Sequence, residues 1–597
     1  LGLVGSEMCI RDSLYYIQAK DRPIDDRINA VGMLHDYSIT ELETNINAIF
    51  RVLDALFNRI ISGDIDEKEI FNRYLQTIGI ISEESDTISD RFLKELERLI
   101  TRHLRELDSD IIQTLISVLR YPIRRNPWQV FKLRNIINEA IELRAFEGIY
   151  HAVLKLIGDA TWEVPYIIND YETLIARLIK FDKDTIRREA YSTLIKAGKR
   201  SFYAVKKFIT DFLSKEDSVE KEEILEFLSS LFIPKEHIDL AEQIYHLVHE
   251  RYISAGYDPE RFKKGILSLA KIVSREELSQ LQERFLRDII TILSSTTQRE
   301  ILKPCFEAII IPQWNKNIML DDLFEKLLNY LEDPTHTPEL KAIIIDALHK
   351  LALIRNQYID MLMETYFGVL QSELTEGVKE KILDNIVSFF PIIRHKEQII
   401  TNLVRILIDL FSNVTESYTI RHKSGSMLES IAKENYKALV PQSENLYDIF
   451  KQSIEWTIKD YLIKIAGNIL IKSEKAVDAL ISIIIDGLFD DATYIVSLDY
   501  LNNISYKFPD IVIQRLNDIE RFGKFLLEIE ERVLREESIE SYYHLIEDPK
   551  RIYIRILTNL SLHAGTLDII KRAADNLMML LSRETNEIIR KDISTGS

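Results

Sequence analysis

The sequence predicts an all-α fold, a right-handed α-solenoid of stacked antiparallel helix pairs about ten repeats long. Three observations predict it. The stretch LKAIIIDALHKLAL at 340–353 puts Leu340, Ile344, Leu348 and Leu351 at helical spacing on one face. The pattern returns down the chain: Val378 leads to Ile382 and Ile386, Ile420 to Ser424 and Leu428, and Ile458 to Leu462 and Ala466. The anchors Leu340, Val378, Ile420 and Ile458 lie 38, 42 and 38 residues apart. Finally, only 18 Gly and 14 Pro occur in 597 residues, too few for a fold rich in β-turns and enough for helices joined by short loops.

A chain this long exceeds what one hydrophobic core organises, so it holds either an array or several separate helical domains. Its 46% apolar and 29% charged residues mark a folded chain. The net charge of −19 repels nucleic acid and anionic membrane unless a local basic patch overrides it. Two cysteines, Cys9 and Cys305, allow no disulfide framework and no cysteine-based zinc site. They suit a reducing compartment, and the cytoplasm is the expected location. The apolar runs fall far short of the roughly 20 residues that a membrane-spanning helix requires.

In chain order, residues 1–13 (LGLVGSEMCIRDS) lack an initiator Met and resemble translated sequencing-adapter read-through in metagenome-derived chains. They are set aside as a non-biological tail. Residues 14–127 read as irregular helical repeats. Ile46, Ile49, Phe50, Leu53, Leu56 and Phe57 form a stripe there, and Pro122 and Pro127 break the chain at its end. Residues 128–505 form the regular array. Its first rung is Phe146, Tyr150 and Leu154; Ile186, Ala190 and Leu194 follow, with Asp182 and Asp184 placed to cap the helix that carries them. Further rungs contain Phe262 and Ile266, Ile301 and Cys305, then the four anchors above, then Tyr494 and Leu498. Residues 506–549 form an irregular acidic insertion containing a helix near 522–533, with Glu528, Glu530, Glu531, Glu536 and Glu537 on its flank. Residues 550–597 supply a last repeat and a capping helix, ending in a loose tail.

Each second helix opens with an aliphatic or aromatic residue followed by Lys or Arg: Ile186-Arg187, Phe262-Lys263, Leu340-Lys341, Val378-Lys379, Ile420-Arg421 and Ile458-Lys459. Together with Asp333-Pro334 in the turn before Leu340, this resembles HEAT repeats of the armadillo-like α-solenoid superfamily. The resemblance covers about 146–581. It implies jointly buried cores between neighbouring repeats and an extended binding surface. It does not imply one function, because members of that superfamily bind very different things.

No motif carries catalysis. Neither GxxxxGK[ST] nor GxGxxG nor GxSxG occurs. Lys423-Ser424-Gly425-Ser426 lies inside a rung and reads as the small-residue face of a packed helix. His246 and His249 share a helix face without a third ligand at a zinc spacing. Cys305 sits at a core-facing position and reads as a packing thiol. No cofactor, metal or catalytic residue is therefore expected.

One feature departs from the acidic mean. Between Asp110 and Glu139 there is no acidic residue, while Arg120, Arg124, Arg125, Lys132 and Arg134 alternate with Tyr121, Trp128 and Phe131. A second basic segment holds Lys196, Lys199, Arg200, Lys206 and Lys207, with Phe202 and Tyr203. Arginine forks onto carboxylate or phosphate, and aromatics stack on bases or anchor peptides. These residues are the expected contact surface of a non-enzymatic protein-interaction scaffold, its partner an acidic, helical or extended protein segment. The alternative is a HEAT-like scaffold or repair enzyme that binds nucleic acid through 120–134 and 196–207. A solvated basic face is the third reading of the same residues.

Overall fold

The computed structural model describes residues 10–143, 146–214, 222–254, 258–373, 375–536 and 543–583. Most of the tail set aside above lies outside the described residues, as do Glu537 and the final segment. Residues 10–13 open the helix Ile10–Gln18, where Ser13 Oγ lies 2.9 Å from Tyr37 Oη. Every regular element among the described residues is helical.

The chain forms two units, Leu1–Ile318 and Met319–Ser597. The second helices of successive pairs make a row in each. In unit 1 the row is α1 (Ser109–Val118), α2 (Glu147–Ala160), α3 (Asp184–Arg200), α4 (Glu222–Ser230), α5 (Pro259–Ile272) and α6 (Arg299–Ile310), each packed on the next. In unit 2 it is α7 (Pro338–Ile354), α8 (Glu376–Ile393), α9 (Tyr418–Glu434), α10 (Trp456–Lys472), α11 (Tyr494–Lys507) and α12 (Asp548–Leu562), again packed in sequence. The first helices of the pairs form a second layer: Gln357–Ser372 touches both Asp321–Glu332 and Glu397–Ser412.

The repeated apolar positions are the core of this stack. Leu340, Ile344, Leu348 and Leu351 are buried, as are Val378, Ile382 and Ile386, and Ile458, Leu462 and Ala466. Burying one such side chain stabilises by about 2 kcal/mol, and each faces the neighbouring pair, so no pair is stable alone. Helix starts follow from capping chemistry. Ser417 Oγ accepts from the Ile420 N–H at 3.3 Å, and Pro338 and Pro259 fill first-turn positions where no N–H is needed. Ser424 is buried and Gly425 packs under Phe411 and Tyr461; a Cβ there would come within 2.8 Å of both rings. This is the packed face expected for Lys423–Ser426.

Three local expectations change. Pro122 does not break the chain, because it sits in the first turn of the short helix Arg120–Arg125. Asp184 does not cap α3; it lies inside the first turn and pairs with Arg187. Phe146 is no rung either: it is the residue before α2 and is exposed. The acidic insertion contains the helix Leu516–Glu536, and the last described helix, Leu567–Arg583, docks on α12.

Candidate functional site

The basic segment at 120–134 folds as the helix Arg120–Arg125 and the turn Pro127–Leu133, which together lead out of the row at α1. Its arginines are met by carboxylates from repeats on both sides. Arg120 and Arg124 donate from Nε to Asp159 at 2.7 and 2.9 Å, and Arg124 also reaches Glu83 at 3.2 Å. Arg125 donates to Asp86 at 2.6 Å, and Arg134 to Asp170 at 3.2 Å. The hydrogen bond and charge of Asp86 raise Arg125 above its ordinary pKa, and Asp86 falls for the same reason. Tyr121 lies over Gly79, where an added Cβ would come within 2.5 Å of its ring. Lys132 is exposed.

The second segment sits two repeats further on, at the end of α3 and the start of the helix Phe202–Leu213. Arg200 lies over the Trp162 ring at 3.7 Å, and Lys207 pairs with Glu172 at 2.6 Å. Lys196 packs over Gly158, Lys199 is exposed, and Lys206 is half-buried. The two segments meet at the end of α2, where Asp159 takes the arginines of the first and Trp162 the Arg200 of the second.

Aromatic side chains remain partly exposed among these ion pairs. Trp128, 64% exposed, stacks on exposed Phe131 with centroids 6.0 Å apart. Trp162 and Tyr166, Tyr203, and Phe232 are exposed in the three turns that follow. All these turns leave the C-terminal end of a row helix, so they share one edge of unit 1. Neighbouring turns touch: Tyr203 meets His237 at 5.6 Å, and Arg275 covers Phe232 at 3.5 Å. Trp162, Tyr166 and Phe232 escaped the sequence reading because no basic cluster marks them. Their signal was position, an aromatic just past α2, α3 and α4.

The paired openings of the second helices have a structural role in unit 2. Lys341 donates to Glu373 at 2.7 Å, Arg421 to Glu455 at 2.6 Å and Lys459 to Asp490 at 2.7 Å; Lys379 pairs with Glu416. Each cation reaches the turn of the next pair. Burial pushes Glu373 upward, but hydrogen bonds from Lys341 and Thr375 and the Lys341 charge outweigh it and hold the carboxyl at about 2.

The groups tested for chemistry have other partners. Burial pushes Cys305 up to about 12, so it is a thiol at neutral pH. His249 stacks on Tyr245 and lies 3.6 Å from Asp288. Among the described residues no three His, Cys, Asp or Glu side chains are grouped to hold a metal ion.

Helix pairs that bury their cores only against predecessor and successor define an α-solenoid. No family model matches the sequence, and no curated protein matches it. Solved structures do. Kap95p in complex with RanGDP superposes with a TM-score of 0.56 at 10% identity, covering 98% of this chain and 82% of that one. The Kap95–Nup1 complex gives 0.57 at 11% identity, with coverages of 98% and 82%. The karyopherin Kap121p gives 0.54 at 13%, with coverages of 99% and 70%. The likeness establishes the fold, a HEAT-repeat α-solenoid.

Proposed function

We propose that this chain is a non-enzymatic protein-binding scaffold whose contact surface is the aromatic edge of unit 1. The observation that carries the proposal is the run of exposed Trp128, Phe131, Trp162, Tyr166, Tyr203 and Phe232 on four successive turns of one edge. Large, rigid aromatics are the side chains that anchor protein interfaces. Their spacing by whole repeats suits an extended or helical segment laid along the edge. The fold supports the same class of partner. The similar structures include Kap95 bound to Nup1 and Kap121p bound to Pho4p. Arg120, Arg124, Arg125 and Arg134 frame the edge through their ion pairs, while Lys132, Lys196, Lys199, Arg200, Lys206 and Lys207 flank it and favour an acidic partner. No helix among the described residues is long and apolar enough to cross a membrane, and a cytoplasmic location belongs to the same proposal.

Affinity capture with the full chain tests it. Partners held by the wild type are expected to be lost from Trp128→Ala/Trp162→Ala/Phe232→Ala, with an unchanged melting curve. Retention of every partner overturns the assignment. The nucleic-acid alternative requires binding of a labelled single-stranded oligonucleotide at low salt, where counterion release makes it strongest. The arginines already committed to carboxylates lead us to expect none.

A further inference from the structure

We infer that unit 2 carries a separate docking surface on the turns entering α9 and α10, and that its occupant is a partner protein segment interleaving basic with apolar side chains. Four apolar side chains stand out from these two turns: Ile454 is 96% exposed, Val414 78%, Tyr418 62% and Trp456 59%. Tyr418 and Trp456 occupy the same repeat position, two residues before Ile420 and Ile458. The two turns are in contact. Arg421, one turn into α9, donates to Glu455, which lies between Ile454 and Trp456. His422 bridges the helices, 5.7 Å from the Tyr418 ring and 5.4 Å from that of Tyr461. Exposed apolar groups gathered in this way, instead of scattered singly, mark an interaction site.

The charges around the patch select the occupant. Of the two pairs at these turns, Arg421–Glu455 turns its carboxylate outward, while Lys379–Glu416 lies largely inside. The Lys379 side chain is 6% exposed against 15% for Glu416, and Arg421 9% against 47% for Glu455. Glu376, accepting from Ser417 Oγ at 2.6 Å, adds a second exposed carboxylate. Lys451, three residues before Ile454, is folded over the Tyr447 ring at 3.9 Å. The patch therefore presents apolar anchors in an acidic frame. A segment carrying Lys or Arg between apolar residues matches both, and the Trp456 face accepts a cation as well. A second copy of this chain, at a net charge of −19, meets the frame with like charge.

Fluorescence anisotropy with the full chain tests the proposal. The probes are a labelled synthetic peptide alternating lysine and leucine, its glutamate–leucine counterpart and its lysine–serine counterpart. The lysine–leucine peptide is expected to bind, more weakly as salt rises, and both counterparts are expected to bind at least about tenfold less tightly. Ile454→Ser and, independently, Trp456→Ala should weaken it by a similar factor. Both sites are exposed, so circular dichroism melts should match wild type. Equal binding of the glutamate–leucine peptide, or unchanged binding by both variants, overturns the proposal. So does concentration-dependent self-association in sedimentation that Ile454→Ser abolishes, which would make a second copy the occupant. The Trp128→Ala/Trp162→Ala/Phe232→Ala chain should bind the peptide as wild type does, so failure here and failure of the unit 1 proposal are read separately.

Discussion

The repeat opened by Lys379 in unit 2 and the repeat opened by Lys263 in unit 1 solve the same stacking problem with different charges. In unit 2, the cation opening a second helix is buried and satisfied by a carboxylate in the next turn, as with Lys379 and Glu416. In unit 1, Phe262-Lys263 opens α5 in the same way, but the next turn is Thr296-Thr297-Gln298 and offers no carboxylate. Another unit 1 repeat does pair forward, with Arg187 of α3 reaching Glu223 at 3.4 Å, and the unit adds ion pairs at the other ends of its row helices, where Arg120 and Arg124 share Asp159. The exposed aromatics differ in the same sense. Of the aromatics proposed as anchors, Trp162 and Phe232 of unit 1 stand just past row helices, whereas Tyr418 and Trp456 of unit 2 stand where row helices begin. A repeat protein can thus keep one core pattern and vary which set of turns meets a partner.

The largest test of this contrast is Lys379→Met. It leaves half-buried Glu416 without its cation and is expected to cost about 3 kcal/mol in urea unfolding, whereas Lys263→Met in unit 1 should cost under about 1 kcal/mol. Equal costs would end the distinction. Acid comes next. Glu373 is held at about 2, below its ordinary 4.5, so its pairing stabilises in full above about pH 4.5. That contribution, up to about 3 kcal/mol, fades as pH falls from 4.5 toward 2. Glu373→Gln should flatten the stability curve in that window, and an unchanged curve would refute the assignment. Asp159→Asn should cost about 1 kcal/mol, because it removes the carboxylate of part-buried Arg120 while exposed Arg124 keeps Glu83; no change in the denaturation midpoint would make that pairing ornamental. The smallest effect belongs to Trp128→Ala, expected within about 0.5 kcal/mol of wild type. A large loss there would assign Trp128 to the core of unit 1 and remove it from the binding edge.

The core was legible because apolar spacing is a local property: Leu340, Ile344, Leu348 and Leu351 announce their face within four turns. The Lys or Arg after each opener was equally visible, but its role was not, since Glu416 lies 37 residues beyond Lys379. The basic segments failed to read as paired for the same reason. A window free of acid from 111 to 138 says nothing about Glu83, Asp86, Asp159 and Asp170, which arrive from adjacent repeats. Pro122 misled because a breaker in the middle of a helix is a tolerated residue in a first turn.

The forward pairing in unit 2 has a consequence for how such a chain changes length. Each cation is matched by the repeat after it, so excising one whole unit, 376–417, removes Lys379 and Glu416 together. Lys341 keeps Glu373, and Arg421 keeps Glu455. For these forward pairs the rule is closed under deletion and duplication of complete repeats, whereas the more exposed Lys423, which reaches back to Glu380 and Asp384, would lose both partners.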